Sequence, residues 1–207
     1  MAAPAEHSVR RREVARAAVH SIADGGLDGA ALRSVALKGG WSVGVVQHYY
    51  RNKSELLAAA VNYLAERSRL VLEEHAASST ELERLYRGLK QIVPEGGSGE
   101  AKYWRVWVCF WAQATNDPSL AEAVEEQARL WRECLAAIIR AGQADGSIRR
   151  GLSPEHEAAY LAAAVDGLGI TAAVDPGVPR LTRAVDRLIA SISTSPDAGT
   201  CRFVGID

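Results

Sequence analysis

Ser42, Val43, Gln47 and His48 fall within two turns of a short helical pattern, and Arg10, Arg11, Arg12, Arg33, Tyr49 and Lys53 flank them along the chain. The chemistry such a set can do is recognition. Hydroxyl, carboxamide and imidazole groups match the donors and acceptors of base edges, while guanidinium, ammonium and phenol donors match phosphate oxygens. Gly44, in their midst, removes a side chain where a helix has to approach another surface closely. Taken one at a time, Gln47 and His48 are equally explained as solvent-facing polar groups.

Catalytic patterns are missing from the sequence. It contains no H-E-x-x-H and no phosphate-binding glycine loop; the glycines at 96 to 99 sit in a helix connector, and the five histidines, His7, His20, His48, His75 and His156, are dispersed. Cys109, Cys134 and Cys201 form no C-x-x-C pair, which argues against a zinc site and a disulfide framework and leaves reduced thiols as the simplest account. No cofactor and no metal are expected. A helical dimer without DNA binding, or an enzyme, remains the competing class.

The elements that must position these residues read as helices throughout. Val14, Ala18 and Ile22 fall on one stripe of a helix over about Val9 to Asp24, which Gly25 and Gly26 end. Leu32 to Lys38 forms a second helix, Gly39 and Gly40 a turn, and Ser42 to Tyr49 a third. Asn52 followed by Glu55 is a capping box opening a long fourth helix, and Thr80 with Glu83 opens a fifth that Pro94 and "PEGGSG" close. Two Trp-rich helices lie on either side of "NDP" at 116 to 118, and the last two cover about Ser153 to Ala173 and Val178 to Ile192. No segment alternates as a strand would. The expected fold is all-α, about nine helices, with a three-helix N-terminal domain over 1–56, a larger helical domain over 57–195 and a loose tail over 196–207.

Two short helices joined by a tight glycine turn make a helix-turn-helix, whose second helix fits a major groove about 12 Å wide. Leu32, Val35, Ala36 and Val46 would hold the pair on the first helix, leaving Ser42, Val43, Gln47 and His48 outward. The run "LRSVALKGGWSVGVVQHYYRNKSELL" resembles the DNA-binding signature of the tetracycline-repressor (TetR) family: Arg33, Val35, Ala36, Gly40, Ser42, Gly44, Tyr49, Tyr50, Lys53, Glu55 and Leu57 match in order and spacing. Three positions depart from it, with Ala31 in place of a capping Thr or Ser, Trp41 in place of a small aliphatic and Gln47 in place of a frequent Tyr. Later segments, among them "FWAQATNDPSLAE" and "VDGLGITAAVDPG", look like the C-terminal domain of the betaine-responsive-regulator-like branch. The resemblance implies a ligand-responsive regulator, more often repressor than activator, that binds operator DNA as a homodimer and is released by a small-molecule effector.

Composition agrees with a globular protein, since 48% of the 207 residues are hydrophobic and 24% charged. The net charge of −1 gives no whole-chain argument for a polyanion partner, but residues 1–56 carry eight Lys and Arg against five Asp and Glu, which permits nucleic acid at that end. The apolar stretch from Tyr160 to Val174 is interrupted by Asp166 and too short to cross a bilayer, so no membrane partner and a cytoplasmic location are expected.

Trp104, Trp107, Trp111 and Trp131 concentrate the bulky aromatics of the larger domain. Core filling explains them; the family resemblance instead implies an effector cavity between these helices, with Gln113 among its polar groups. Asp166, inside an apolar helix, is a dimer-interface or a pocket group. Leu161, Val165 and Leu168, and Leu181, Val185, Leu188 and Ile192, form stripes that a monomer hides internally or a dimer pairs in a four-helix interface; the need for two recognition helices favours the dimer.

Overall fold

The computed structural model describes residues 4–94, 99–175, 177 and 181–195. The expected tail over 196–207 with Cys201, most of the "PEGGSG" connector and the expected helix start at Val178 lie outside the described residues. Those described form nine α-helices: α1 (Pro4–Gly25), α2 (Leu32–Gly39), α3 (Val43–Tyr49), α4 (Lys53–Glu74), α5 (Glu81–Ile92), α6 (Ala101–Ala114), α7 (Pro118–Asp145), α8 (Pro154–Val174) and α9 (Leu181–Ile192). No strand forms among them; a single antiparallel bridge joins Ile148 and Ser193.

The punctuation follows local chemistry. α1 begins earlier than the apolar stripe indicates, with Glu6 in its first turn at the positive end of the helix dipole. Gly26 has φ 61° and is followed by a short 3₁₀ turn, Gly26–Ala30, whose residues carry no helical period in the sequence. α2 stops because Gly40 takes a left-handed conformation, φ 71°, and its N–H donates to the Ala36 and Leu37 carbonyls. Before α4 the Glu55 N–H donates to Asn52 Oδ1 at 2.8 Å, while the Glu55 carboxylate accepts from the Arg51 N–H at 3.0 Å, one residue further back than a capping box reaches. α5 repeats this arrangement: Thr80 Oγ1 accepts from Glu83, whose carboxylate turns back to Ser79. Ser153 caps α8 ahead of Pro154 in the first turn.

Two compact units result. The first comprises residues 1–67 and 102–128, the second 68–101 and 129–207. These units partition the chain differently from the expected domains, because α6 and the start of α7 pack with the helix-turn-helix residues. The first unit is centred on Val14, Ala18, Val19 and Ile22 of α1, Val35 and Ala36 of α2, Val46 of α3, Leu56, Leu57, Val61 and Leu64 of α4, and Val106 and Phe110 of α6.

In the second unit α9 packs against α5 and α8. Leu82, Leu85 and Leu89 of α5, Leu135 and Ile139 of α7, Leu161 and Val165 of α8, and Val185, Ile189 and Ile192 of α9 are buried. Lys90 and Asp186 pair at 2.8 Å between α5 and α9, and the Arg149 N–H donates to the Ile192 carbonyl at 3.0 Å. The stripes that looked available for pairing two copies are therefore largely spent inside the unit. What α8 leaves exposed is a second apolar stripe, Tyr160, Ala163, Gly167, Ile170 and Val174, at helical spacing three and four. Length also departs from expectation. The helix extends back to Pro154, so α8 has the length and composition of a membrane span, but its Leu161 and Val165 stripe packs inside the unit, and one such helix also describes a core helix.

Candidate nucleic-acid interface

α3 is held by its inner side and leaves its outer side free. Val46 is fully buried among α1, α2 and α4 residues, and Tyr50, just past the helix, is buried with its hydroxyl donating to the Arg11 carbonyl at 3.0 Å. Ser42, Val43, Gly44, Gln47 and His48 are all exposed. A Cβ placed on Gly44 would meet nothing closer than the Ser42 hydroxyl at 3.8 Å, so no internal packing accounts for a glycine there. Trp41, the bulky departure in the turn, lays its indole over Gly39, where a Cβ would come within 2.3 Å of the ring. That contact explains why the turn carries two glycines: one for conformation and one for room. Ala31 precedes α2 without a side-chain cap, as its methyl requires.

The flanking cations divide into engaged and open groups. Arg10 pairs with Glu13 at 2.7 Å and stacks over Trp41; Arg11 stacks over Tyr50; Arg12 pairs with Glu66 at 2.5 Å and stacks over Tyr63. Lys53 donates to the Leu27 carbonyl at 3.2 Å, which ties the start of α4 to the 3₁₀ turn. Arg33, exposed on α2, and Arg51, exposed after α3, have no side-chain partner among the described residues. Tyr49 is half-buried and is met by two imidazoles, His48 at 5.0 Å and His7 at 4.9 Å between ring centroids. Sequence reasoning missed His7 and Arg51: His7 precedes the stripe used to place the first helix, and Arg51 lies between two helices where no period marks it.

The expected effector residues separate by unit. Trp104, Trp107, Trp111 and Gln113 lie on α6 in the first unit, and Trp131 of α7 and Asp166 of α8 in the second. Within the first, Trp107 and Trp111 stack at 5.8 Å with an interplanar angle of 23°, and Trp104 is 6.4 Å from Trp111. Trp104 is buried, whereas Trp107 and Trp111 are half-buried. A surface cavity of about 370 Å³ in the second unit, lined by Glu74, His75, Ala77, Ser78, Ser79, Glu83 and Arg87, contains none of these residues. Its Glu83 is held below the usual carboxylate range, first by the Ser79 hydroxyl, and pairs with Arg87.

Asp166 is the most perturbed acid in the second unit. Burial pushes its carboxyl up to about 6, partly opposed by the Arg132 charge. A folded pKa above the unfolded value of 3.8 means the folded state binds the extra proton, so stability is fully present below about pH 4 and is lost as pH rises through about 6. Replacing Asp166 with Asn is expected to raise unfolding free energy by about 1–2 kcal/mol near pH 7.5 and to change little near pH 4, read by urea denaturation at both pH values. A loss near pH 7.5 would show that the carboxylate makes a favourable contact instead.

α2, the glycine turn and α3 thus form a helix-turn-helix with a bare outer face in a set of described residues that is otherwise helical. Residues 81–194 match the BetI-type transcriptional repressor, C-terminal family. The chain is 26% identical over 191 residues to the HTH-type transcriptional regulator PksA of Bacillus subtilis (strain 168), covering 90% of this chain and 91% of that protein. It is 29% identical over 176 residues to the HTH-type transcriptional regulator BetI of Escherichia coli O127:H6, covering 81% and 84%. A transcriptional regulator from Rhodococcus sp. Rha1 has the same fold at a TM-score of 0.74 and 30% identity, over 88% of this chain and 95% of that one. A regulator from Saccharomonospora viridis, solved in complex with choline, shares the fold at a TM-score of 0.74 and 23% identity, over 91% and 100%. This chain is a member of the TetR family of transcriptional regulators, with a BetI-type C-terminal region.

Proposed function

We propose that the chain is a homodimeric repressor that binds a palindromic operator through residues 1–56 and is released by a small molecule bound in the region 57–195. One observation carries the DNA-binding part: the outer face of α3 is exposed, polar at Ser42, Gln47 and His48, and open at Gly44 for no reason internal to the fold. The exposed apolar stripe of α8 supports the dimer, which a two-fold operator requires. The half-buried, stacked faces of Trp107 and Trp111 support an effector site, and such faces attract a quaternary ammonium. Choline, bound by the S. viridis protein, is therefore the first compound to test.

Selection from random duplexes is expected to enrich a palindrome whose half-sites lie roughly 34 Å apart, or a small multiple of that. Enrichment of nothing, even at low salt, would overturn the reading. On the enriched duplex, an effector must lower operator affinity, and the duplex must lower effector affinity by the same factor.

A further inference from the structure

The outer face of α3 has a restricted vocabulary. Guanine is most often read by Arg or Lys reaching O6 and N7 together, and α3, sequence VGVVQHY, contains neither. Three cations elsewhere in the motif are engaged, Arg10 and Arg11 stacked on Trp41 and Tyr50 and Lys53 bonded to the Leu27 carbonyl, and the two open ones, Arg33 and Arg51, lie outside α3. His48 lies edge-on to Tyr49, with its centroid 5.8 Å from that of His7, so its ring belongs to an aromatic cluster. That leaves Ser42, Val43 and Gln47. Gln47 is the side chain whose paired donor and acceptor fit adenine N7 and N6. Val43, at the first turn of α3, is 37% exposed although apolar, and its methyls match the 5-methyl of thymine. Four residues of helix advance about 6 Å, close to two base-pair steps of about 3.4 Å. Gly44 between them lets the helix approach closely enough for the short Val43 side chain to reach.

We infer that α3 reads each half-site as A·T pairs, with an adenine under Gln47 and, about two base pairs away, a thymine whose 5-methyl packs on Val43. This rests on the DNA-binding reading above and specifies its substrate. Arg33 and Arg51, outside α3, then serve the phosphates flanking that core.

Thymines of the selected duplex are replaced one at a time by deoxyuridine, which removes only the methyl, and binding is measured with the full-length protein, Val43→Ala and, as a control, Leu37→Ala, altering a residue 84% exposed on α2. One thymine per half-site is expected to weaken binding about fourfold when replaced, as loss of one buried methyl implies, and the two together by about an order of magnitude. Val43→Ala should bind the thymine and uracil duplexes alike, while Leu37→Ala keeps the difference. A 7-deazaadenine at the predicted adenine should weaken the unaltered protein and leave Gln47→Ala indifferent. Selected half-sites with G·C at the positions facing α3, uracil neutral everywhere, or undiminished uracil sensitivity in Val43→Ala each overturn the inference while leaving DNA binding intact. A selection that enriches no sequence removes the DNA-binding reading itself.

Discussion

Glutamate in place of Gly167 is expected to leave a folded monomer that binds the operator at least about 100-fold more weakly than the unaltered protein. Gly167 sits mid-way along the exposed stripe of α8, between Ala163 and Ile170, with Tyr160 and Val174 exposed at 58% and 73% toward its two ends. A Cβ there meets nothing within 4 Å, so the unit tolerates the longer side chain, and any helix interior gains from losing a glycine. A second copy approaching along this stripe does not tolerate it, because a two-fold interface brings the same charged group in twice, into apolar surroundings. Without the dimer the two half-sites are bound independently, and the tethering gain, typically 10² to 10⁴, is lost. Sedimentation velocity and duplex titration measure both halves. A dimer of unchanged affinity would place the partner contact elsewhere and leave the stripe as solvent-facing surface.

The second large effect is on folding. Gly29, buried in the 3₁₀ turn, lies against the backbone of α1, where a Cβ would be 2.1 Å from the Ser21 carbonyl oxygen and 2.6 Å from its carbon. Neither atom belongs to a side chain that can rotate away, so Gly29→Ala must push the turn off α1. Ala30, fully buried in the same core, and the Lys53 bond to Leu27 move with it. A loss of roughly 3–5 kcal/mol is expected, at the upper end for one substitution. Gly25→Ala is the matched control: φ is −121° and a Cβ there meets nothing within 4 Å, so its effect should stay small. Urea denaturation of the two variants checks the contrast, and equal stabilities would mean that the turn shifts away without loss.

The helices and the exposed outer face of α3 were legible because their signals are local. A stripe of Val14, Ala18 and Ile22, a glycine pair before Trp41 and an Asn-x-x-Glu cap each act over a few residues, so period and cap chemistry locate them. The same locality hid what depends on distant partners. Val185, Leu188 and Ile192 repeat as an interface stripe does, and only packing of α9 on α5 and α8 shows that they are used internally. On α8, apolar residues on every face conceal which stripe is covered, although the recurrence of Tyr160, Ala163, Gly167, Ile170 and Val174 was available as a signal. The 3₁₀ turn at Gly26–Ala30 is too short to show a period, and the ties of Arg10, Arg11 and Arg12 bridge residues up to 54 positions apart.

Of those three arginines, two change how the protein's affinity should respond to ions. Each guanidinium lies over a ring, Trp41, Tyr50 or Tyr63, which leaves its charge in place, but Arg10 and Arg12 are also ion-paired, so a phosphate approaching those two replaces an internal carboxylate rather than meeting a bare charge. DNA binding is sensitive to salt because cations condensed on the duplex are expelled as phosphates are neutralised, and only newly made contacts expel them. The eight Lys and Arg of residues 1–56 therefore overstate the ions set free, and Arg33 and Arg51 account for a larger share than their number suggests. Compared with a head of equal charge and unengaged side chains, this one keeps more of its grip as ionic strength rises, because less of that grip comes from the entropy of released ions.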